Sequence, residues 1–209
     1  MKRLTLAMLA ASLSLAAAPA HAQKLHVGLR GGINMAGAEA KGTAFESDTG
    51  TETGYHLGIL TLVDISGWFA LQTEVIYSKK GFAEGDDGIA LDLTHLEIPI
   101  LAVVKLPLPL SLRLYSGPVL GIERGCTVTF EGETTDCDDA RQGAPRTRGA
   151  DSGIIFGAGL GLDFGPGMLT GDIRYNHGLT NVAESSESIS SINTRTWYFS
   201  AGYLLQIGR

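Results

Sequence analysis

Between Lys24 and Met35, the side chains of Leu25, Val27, Leu29, Ile33 and Met35 share one side of an extended chain. Lys24, His26, Arg30 and Asn34 share the other. Successive side chains of a strand point to opposite faces, so this period of two predicts a β-strand with one apolar and one polar surface. The same period recurs over Gly54 to Ile65, Trp68 to Lys79, Leu91 to Leu106, Leu110 to Glu123, Gly153 to Phe164, Met168 to Leu179 and Thr194 to Ile207, giving eight predicted strands. Their connections alternate in length. Long polar loops at Ala36 to Thr53, Lys80 to Ala90, Arg124 to Ser152 and after Leu179 take turns with short ones at Ser66-Gly67, Pro107-Leu108-Pro109 and Gly165-Pro166-Gly167.

Amphipathic strands joined alternately by short turns and long loops are the pattern of a transmembrane β-barrel whose apolar face meets lipid. A soluble, lipocalin-like barrel with its apolar face inward has the same alternation. By parity one face carries Arg30, Asn34, Gln72, Glu74, Glu97, Lys105, Arg113, Glu123, Asp163, Asp172, Arg174 and Asn176. The other carries Phe69, Val75, Tyr77, Ile98, Leu114, Phe156, Leu160, Trp197 and Phe199. The aromatic residues favour the membrane reading. Trp68, Phe69, Phe164 and Tyr203 cluster at the short-turn ends and Tyr55, Tyr77, Tyr175 and Trp197 at the long-loop ends, as two interfacial belts would.

Targeting agrees with that reading. Lys2 and Arg3 precede an apolar run from Leu4 to Ala18, and Ala20-His21-Ala22 is a small-x-small cleavage site, so residues 1–22 are expected to be a secretory signal peptide and 23–209 a single barrel domain. The formal net charge of −6 becomes more negative when that segment leaves, and no basic stripe remains for nucleic acid. Many of the 28 glycines lie inside strand-like runs, where a narrow barrel uses them to bend and to relieve crowding. The dense Gly157-Ala158-Gly159-Leu160-Gly161 run has no helix after it, which disfavours a nucleotide loop.

Five runs, in order, carry a resemblance to a known family: Gly28-Leu-Arg-Gly-Gly-Ile-Asn34; Leu71-Gln-Thr-Glu-Val-Ile-Tyr-Ser78 with Lys80-Gly81; Leu96-Glu-Ile-Pro-Ile-Leu101; Tyr115-Ser-Gly-Pro-Val-Leu-Gly121; and Asp172-Ile-Arg-Tyr-Asn-His-Gly-Leu-Thr180. Together they resemble the successive strands of the PorT-like, "porin family" outer-membrane β-barrel domain. The resemblance spans the mature chain and implies an all-β, eight-stranded antiparallel up-and-down barrel in the outer membrane. Its architecture is that of the small OmpA and OmpX barrels, without an assigned biochemical activity. Such chains commonly finish on an aromatic residue read by the assembly machinery. This one ends Gln206-Ile207-Gly208-Arg209, leaving Phe199 or Tyr203 for that part.

Candidate chemistry sits on the polar face. Arg30, Glu74, Glu97, Arg113, Asp172 and Arg174 share the inward parity and are expected to form a carboxylate–guanidinium network plugging the lumen, because the planar guanidinium binds carboxylates bidentately. A catalytic carboxylate pair is the sharper alternative, but acids flanked by arginines stay ionised and serve poorly as acids at neutral pH. His26, His56, His95 and His177 are scattered singly, which suits no metal site, and no cofactor is implied. His177 with Ser185, Ser186 and Glu187 is the nearest approach to a hydrolytic set, and no nucleophile elbow is present. Cys126 and Cys137 are expected to form a disulfide in an oxidising compartment, closing a hairpin around Val128-Thr-Phe130 and the turn-like Glu131-Gly132-Glu133. Glu131, Glu133, Asp136, Asp138 and Asp139 lack a calcium-loop spacing and read as a solvated acidic loop. The function expected is a non-catalytic, monomeric outer-membrane protein with a structural or surface-interaction role. Its partners would be outer-membrane lipids, the assembly machinery and an extracellular ligand. A lipid-modifying enzyme and a soluble periplasmic ligand-binding barrel are the alternatives.

Overall fold

The computed structural model of the chain describes residues 24–42, 46–48, 50–84, 89–106, 110–130, 133–136, 150–180 and 189–207. Eight long strands close on themselves: β1 (Leu25–Gly42), β3 (Gly50–Asp64), β4 (Phe69–Glu84), β5 (Ile89–Leu106), β6 (Ser111–Phe130), β8 (Ala150–Phe164), β9 (Gly167–Gly178) and β10 (Ile189–Ile207). Two short ones, β2 (Glu46–Asp48) and β7 (Glu133–Asp136), lie outside the ring on β1 and β6. Every pairing is antiparallel, each long strand pairs with the long strands before and after it in the chain, and β10 closes on β1 from Leu25↔Ile207 onward.

Pairing followed once round, Leu25↔Val63↔Leu71↔Ala102↔Ser116↔Phe156↔Tyr175↔Trp197↔Met35, returns to β1 ten residues above its start. Eight strands with that stagger, a ~3.3 Å rise and a ~4.8 Å spacing have a tilt of roughly 40° and a radius of roughly 8 Å. A tube of that bore is filled by the side chains pointing into it.

The alternation read from sequence sets which side chains those are. Leu29, Leu57, Ile59, Phe156 and Ile173 are exposed on the outside, while Arg30, Asn34, Gln72, Glu74, Glu97, Arg113, Asp172, Arg174 and Asn176 are buried within. An apolar mantle that encircles the molecule is far larger than the few hundred Å² a soluble monomer leaves exposed. Hydrocarbon is the solvent that makes this arrangement stable, and a closed sheet leaves no unpaired backbone edge within it. At the short-turn end Trp68 lies against Phe69, 5.7 Å between ring centroids, and the Tyr203 hydroxyl donates to the Phe164 carbonyl at 3.0 Å. At the other end Tyr175 lies 4.9 Å from Trp197.

The strands run further than the sequence pattern predicts, always at the long-loop end. β1 reaches Gly42 rather than Met35, β4 reaches Glu84 rather than Lys79, and β6 reaches Phe130 rather than Glu123. Outside a bilayer both faces of a strand meet water, so backbone pairing continues after the apolar alternation has stopped. The expected hairpin is present as β6–β7, in register from Thr127↔Asp136 to Phe130↔Glu133. One irregularity changes which side chains face inward: β5 and β6 shift register between Thr94↔Gly125 and His95↔Glu123. The extra residue inverts the parity of β6, so that Cys126 is buried and Gly125 exposed. The last short turn is tighter than expected: Phe164 pairs with Gly167, and Gly165 takes φ 59°. A positive φ at the first central residue is what a II′ hairpin turn demands, and the fixed φ of Pro166 suits the second.

Candidate functional site: the filled lumen

Two ionic clusters and an apolar layer fill the bore. In the first cluster, β4 supplies Glu74, β1 supplies Arg30, and β9 supplies Asp172 and Arg174. Glu74 Oε1 accepts from Arg30 Nη1 at 2.8 Å and from Arg174 Nη1 at 2.7 Å, and also from Gln72 Nε2. Asp172 Oδ1 lies 2.9 Å from Arg174 Nε and accepts from Arg30 Nη2. Two guanidiniums and two carboxylates thus form a closed, charge-neutral ring with every side chain at most 3% exposed. Tyr115 supports it from β6, its ring centroid 4.5 Å from the Arg174 guanidinium carbon.

Glycine on the inner face of β8 makes room for this ring. A Cβ on Gly157 would stand 2.7 Å from Arg174 Cγ, and one on Gly159 would stand 2.6 Å from Asp172 Cβ and 3.1 Å from Tyr115 Cε2. The glycine run therefore belongs to the barrel wall, where it is space for the charged side chains opposite.

The second cluster lies nearer the long loops. Glu97 of β5 pairs with Lys80 of β4 and accepts the Tyr198 hydroxyl from β10, 3.0 Å to Oε1 and 2.8 Å to Oε2. His56 of β3 packs edge-on to Tyr198, centroids 5.2 Å apart, and its Nε2 is 2.8 Å from Ser200 Oγ. Asn34 Nδ2 donates to Ser78 Oγ at 3.0 Å. Between the clusters a cavity of about 10 Å³, lined in part by Arg30, His56, Glu97, Arg174 and Tyr198, is on the scale of a single water molecule.

Of the six lumen residues expected from sequence, the structure brings Arg30, Glu74, Asp172 and Arg174 together. Glu97 belongs to the Lys80 cluster instead. Arg113, fully buried, donates through Nη2 to the Leu160 carbonyl at 3.2 Å and lies 5.9 Å over the Tyr115 ring. Sequence reasoning misses Lys80 and His56 as lumen residues. The pattern puts Lys80 at the start of a loop, yet it continues the even parity of Gln72, Glu74, Ile76 and Ser78 along the longer β4. That parity is the signal that could have found it.

The polar reading of the inner face also misses its apolar part. Leu60, Leu62, Ala70, Leu101, Val103 and Leu204 point inward, buried, with Met168 packed against them. They lie toward the short turns and form a dry floor. Beneath it opens a vestibule of about 620 Å³ whose walls include Lys24, His26, Asp64, Lys105 and Asp163. In that rim Asp64 Oδ1 forms an ion pair with Lys105 Nζ at 2.9 Å, and its Oδ2 faces His26 Nε2 at 3.6 Å. Burial alone would raise its pKa, but the hydrogen bonds and charges of His26 and Lys105 outweigh it and hold the carboxyl below its ordinary value.

The other expected residues are placed less fully. His177 faces outward and stacks on Tyr175, centroids 6.4 Å apart, while Ser185, Ser186 and Glu187 lie outside the described residues. No described cysteine is free, and Cys137 lies outside the described residues.

An outward apolar mantle over a filled, closed, eight-stranded sheet is the anatomy of a small outer-membrane barrel, and the chain matches the outer membrane protein beta-barrel domain over residues 20–184. The chain belongs to that family. Its place is the outer membrane, and the soluble-barrel alternative falls with that. The match carries the barrel part of the resemblance read from sequence but not the PorT-like label. A major outer membrane protein from Thermus thermophilus is 12% identical with a TM-score of 0.56, covering 90% of this chain and 100% of that one. Neisserial surface protein A is 15% identical with a TM-score of 0.49, covering 90% and 100%. Ail, the attachment invasion locus protein of Yersinia pestis, solved with the heparin analogue sucrose octasulfate, is 16% identical with a TM-score of 0.46, covering 87% and 99%. At these identities the likeness is one of fold. No curated protein matches the chain.

Proposed function

We propose that this outer-membrane barrel is non-catalytic, closed to solutes, and acts as a structural or surface-interaction protein through its long-loop end. The observation that carries this reading is the filling of the lumen. A water path through it would have to separate the Arg30–Glu74–Arg174–Asp172 ring, break the Lys80–Glu97–Tyr198 contacts and wet the Leu62–Leu101–Leu204 floor. Hydrophobic constrictions close pores by dewetting, and buried ion pairs broken singly leave uncompensated charge. The acids of the lumen each face cations, an arrangement that suits structure better than acid catalysis. The short turns and both termini are periplasmic and the long loops extracellular in this reading, from the length asymmetry of the connections. Residues 1–22 are its cleaved signal peptide.

Cys126 and Cys137 form a disulfide in the same proposal. An exported chain meets an oxidising compartment, and the two cysteines lie in the same long-loop stretch of the sequence. Planar-bilayer recording of the refolded monomer tests the closed lumen: silence is expected, and stable ohmic steps of porin size would overturn it. Analysis of lipid A from cells with and without the protein tests the absence of catalysis, and an acyl difference would replace this reading with the enzyme.

A further inference from the structure

We infer that the vestibule at the short-turn end binds a small zwitterion with apolar side chains, of the dipeptide class. The inference goes beyond the surface-interaction reading above, because it concerns the opposite end of the barrel from the long loops. Barrel mouths are common places for ligand sites, and the vestibule, at about 620 Å³, lies within the range of roughly 300–1,000 Å³ that such sites occupy. Toward the bore it ends on Leu62 and Met168, both part of the apolar layer that closes the lumen there. Its walls are charged. Lys24 stands just before β1 and His26 within it, Asp64 comes from β3, Lys105 from β5 and Asp163 from β8.

Part of that charge is already matched within the wall. Lys105 Nζ pairs with Asp64 Oδ1, and His26 faces the other oxygen of the same carboxylate. Lys24 and Asp163 remain. Both are exposed, and among the described residues neither side chain has an ion-pair or hydrogen-bond partner. Lys24 leads into β1, and Asp163 lies on β8, three strands away round the ring by way of β10 and β9. The cup therefore holds one uncommitted cation and one uncommitted anion on different walls, above an apolar end. A simple anion or cation matches one of these walls only. A molecule carrying both charges and an apolar body matches both walls and the closed end together. Two residues of extended peptide reach about 7 Å, short enough to lie inside a bore of roughly 8 Å radius. The ammonium of such a dipeptide meets Asp163, its carboxylate meets Lys24, and its side chains rest on Leu62 and Met168.

The test uses protein extracted from outer membranes into maltoside micelles, labelled at its methionine methyl groups, and titrated with the dipeptide Leu-Leu. A saturable shift of the Met168 methyl resonance is expected, while Met35, exposed on the outer mantle, stays unmoved and controls for effects on the micelle. N-acetyl-Leu-Leu and Leu-Leu amide each lack one of the two charges and should bind about threefold more weakly, the scale of an exposed ion pair. Asp163→Asn should remove the penalty for acetylation alone, and Lys24→Gln the penalty for amidation alone. A barrel that is merely damaged does not exchange its preferences in that way, and heat-modifiable gel mobility reports that each variant is folded. An unmoved Met168 methyl would overturn the inference, as would equal binding of the free and capped dipeptides or penalties that persist unchanged in both variants. Each of these failures leaves the closed lumen and the surface-interaction reading in place, since bilayer recording tests them separately.

Discussion

Replacing Arg174 by Leu tests the energetics of the lumen most directly. The wild-type ring is neutral: Arg30 and Arg174 against Glu74 and Asp172, all at most 3% exposed on their side chains. Removing one guanidinium leaves two carboxylates sharing Arg30, with one negative charge uncompensated in the centre of a membrane-embedded tube. Breaking a buried pair from one side costs about 3–5 kcal/mol, and the lost stacking on Tyr115 adds about 1 kcal/mol. The inverse logic supplies the control. In Arg174→Leu/Asp172→Leu the remaining Arg30 and Glu74 are again neutral, so the double variant should be no less stable than the single Arg174→Leu and the two effects should couple by about 2 kcal/mol or more. Urea unfolding in micelles, followed by tryptophan emission from Trp68 and Trp197 on the outer surface and by gel mobility, measures both. An Arg174→Leu barrel within about 1 kcal/mol of wild type, or strictly additive effects, would refute a ring held by mutual pairing.

Gly159→Val should destabilise the barrel by about 1–3 kcal/mol, because its Cβ would enter the space of Asp172 and Tyr115; the same unfolding assay reads it, and a neutral result would mean the wall yields there. Asp64, whose carboxyl is held below its ordinary pKa of 3.8, contributes stability that is fully present above that value and lost as pH falls through its lower folded value. Wild type should therefore lose more stability than Asp64→Asn on acidification below about pH 4, and parallel pH profiles would count against the Lys105–Asp64–His26 contact. For orientation, a cysteine at Thr135 should react with an impermeant maleimide in whole cells and one at Ser66 only after permeabilisation; the opposite pattern would invert the topology.

How far the sequence reached depends on whether a signal was local. Alternation such as Leu25, Val27, Leu29 against His26, Arg30, Asn34 is imposed residue by residue by lipid on one side and a crowded bore on the other, so strand number, order, facing and aromatic belts were all legible without coordinates. Connection lengths then fixed the antiparallel meander. What alternation cannot encode is stagger. The ten-residue offset that brings Leu25 round to Met35 decides which inward residues meet at one height, and it places Glu74 between Arg30 and Arg174 while sending Glu97 to Lys80 and Tyr198. Strand ends at the long loops were equally hidden, since water on both faces erases the periodic signal while the backbone goes on pairing. Lys80 was lost to the loop for that reason. The dry floor of Leu62, Leu101 and Leu204 depends on closure itself, because inward leucines from three separate strands become one layer only when the sheet is curled into a tube.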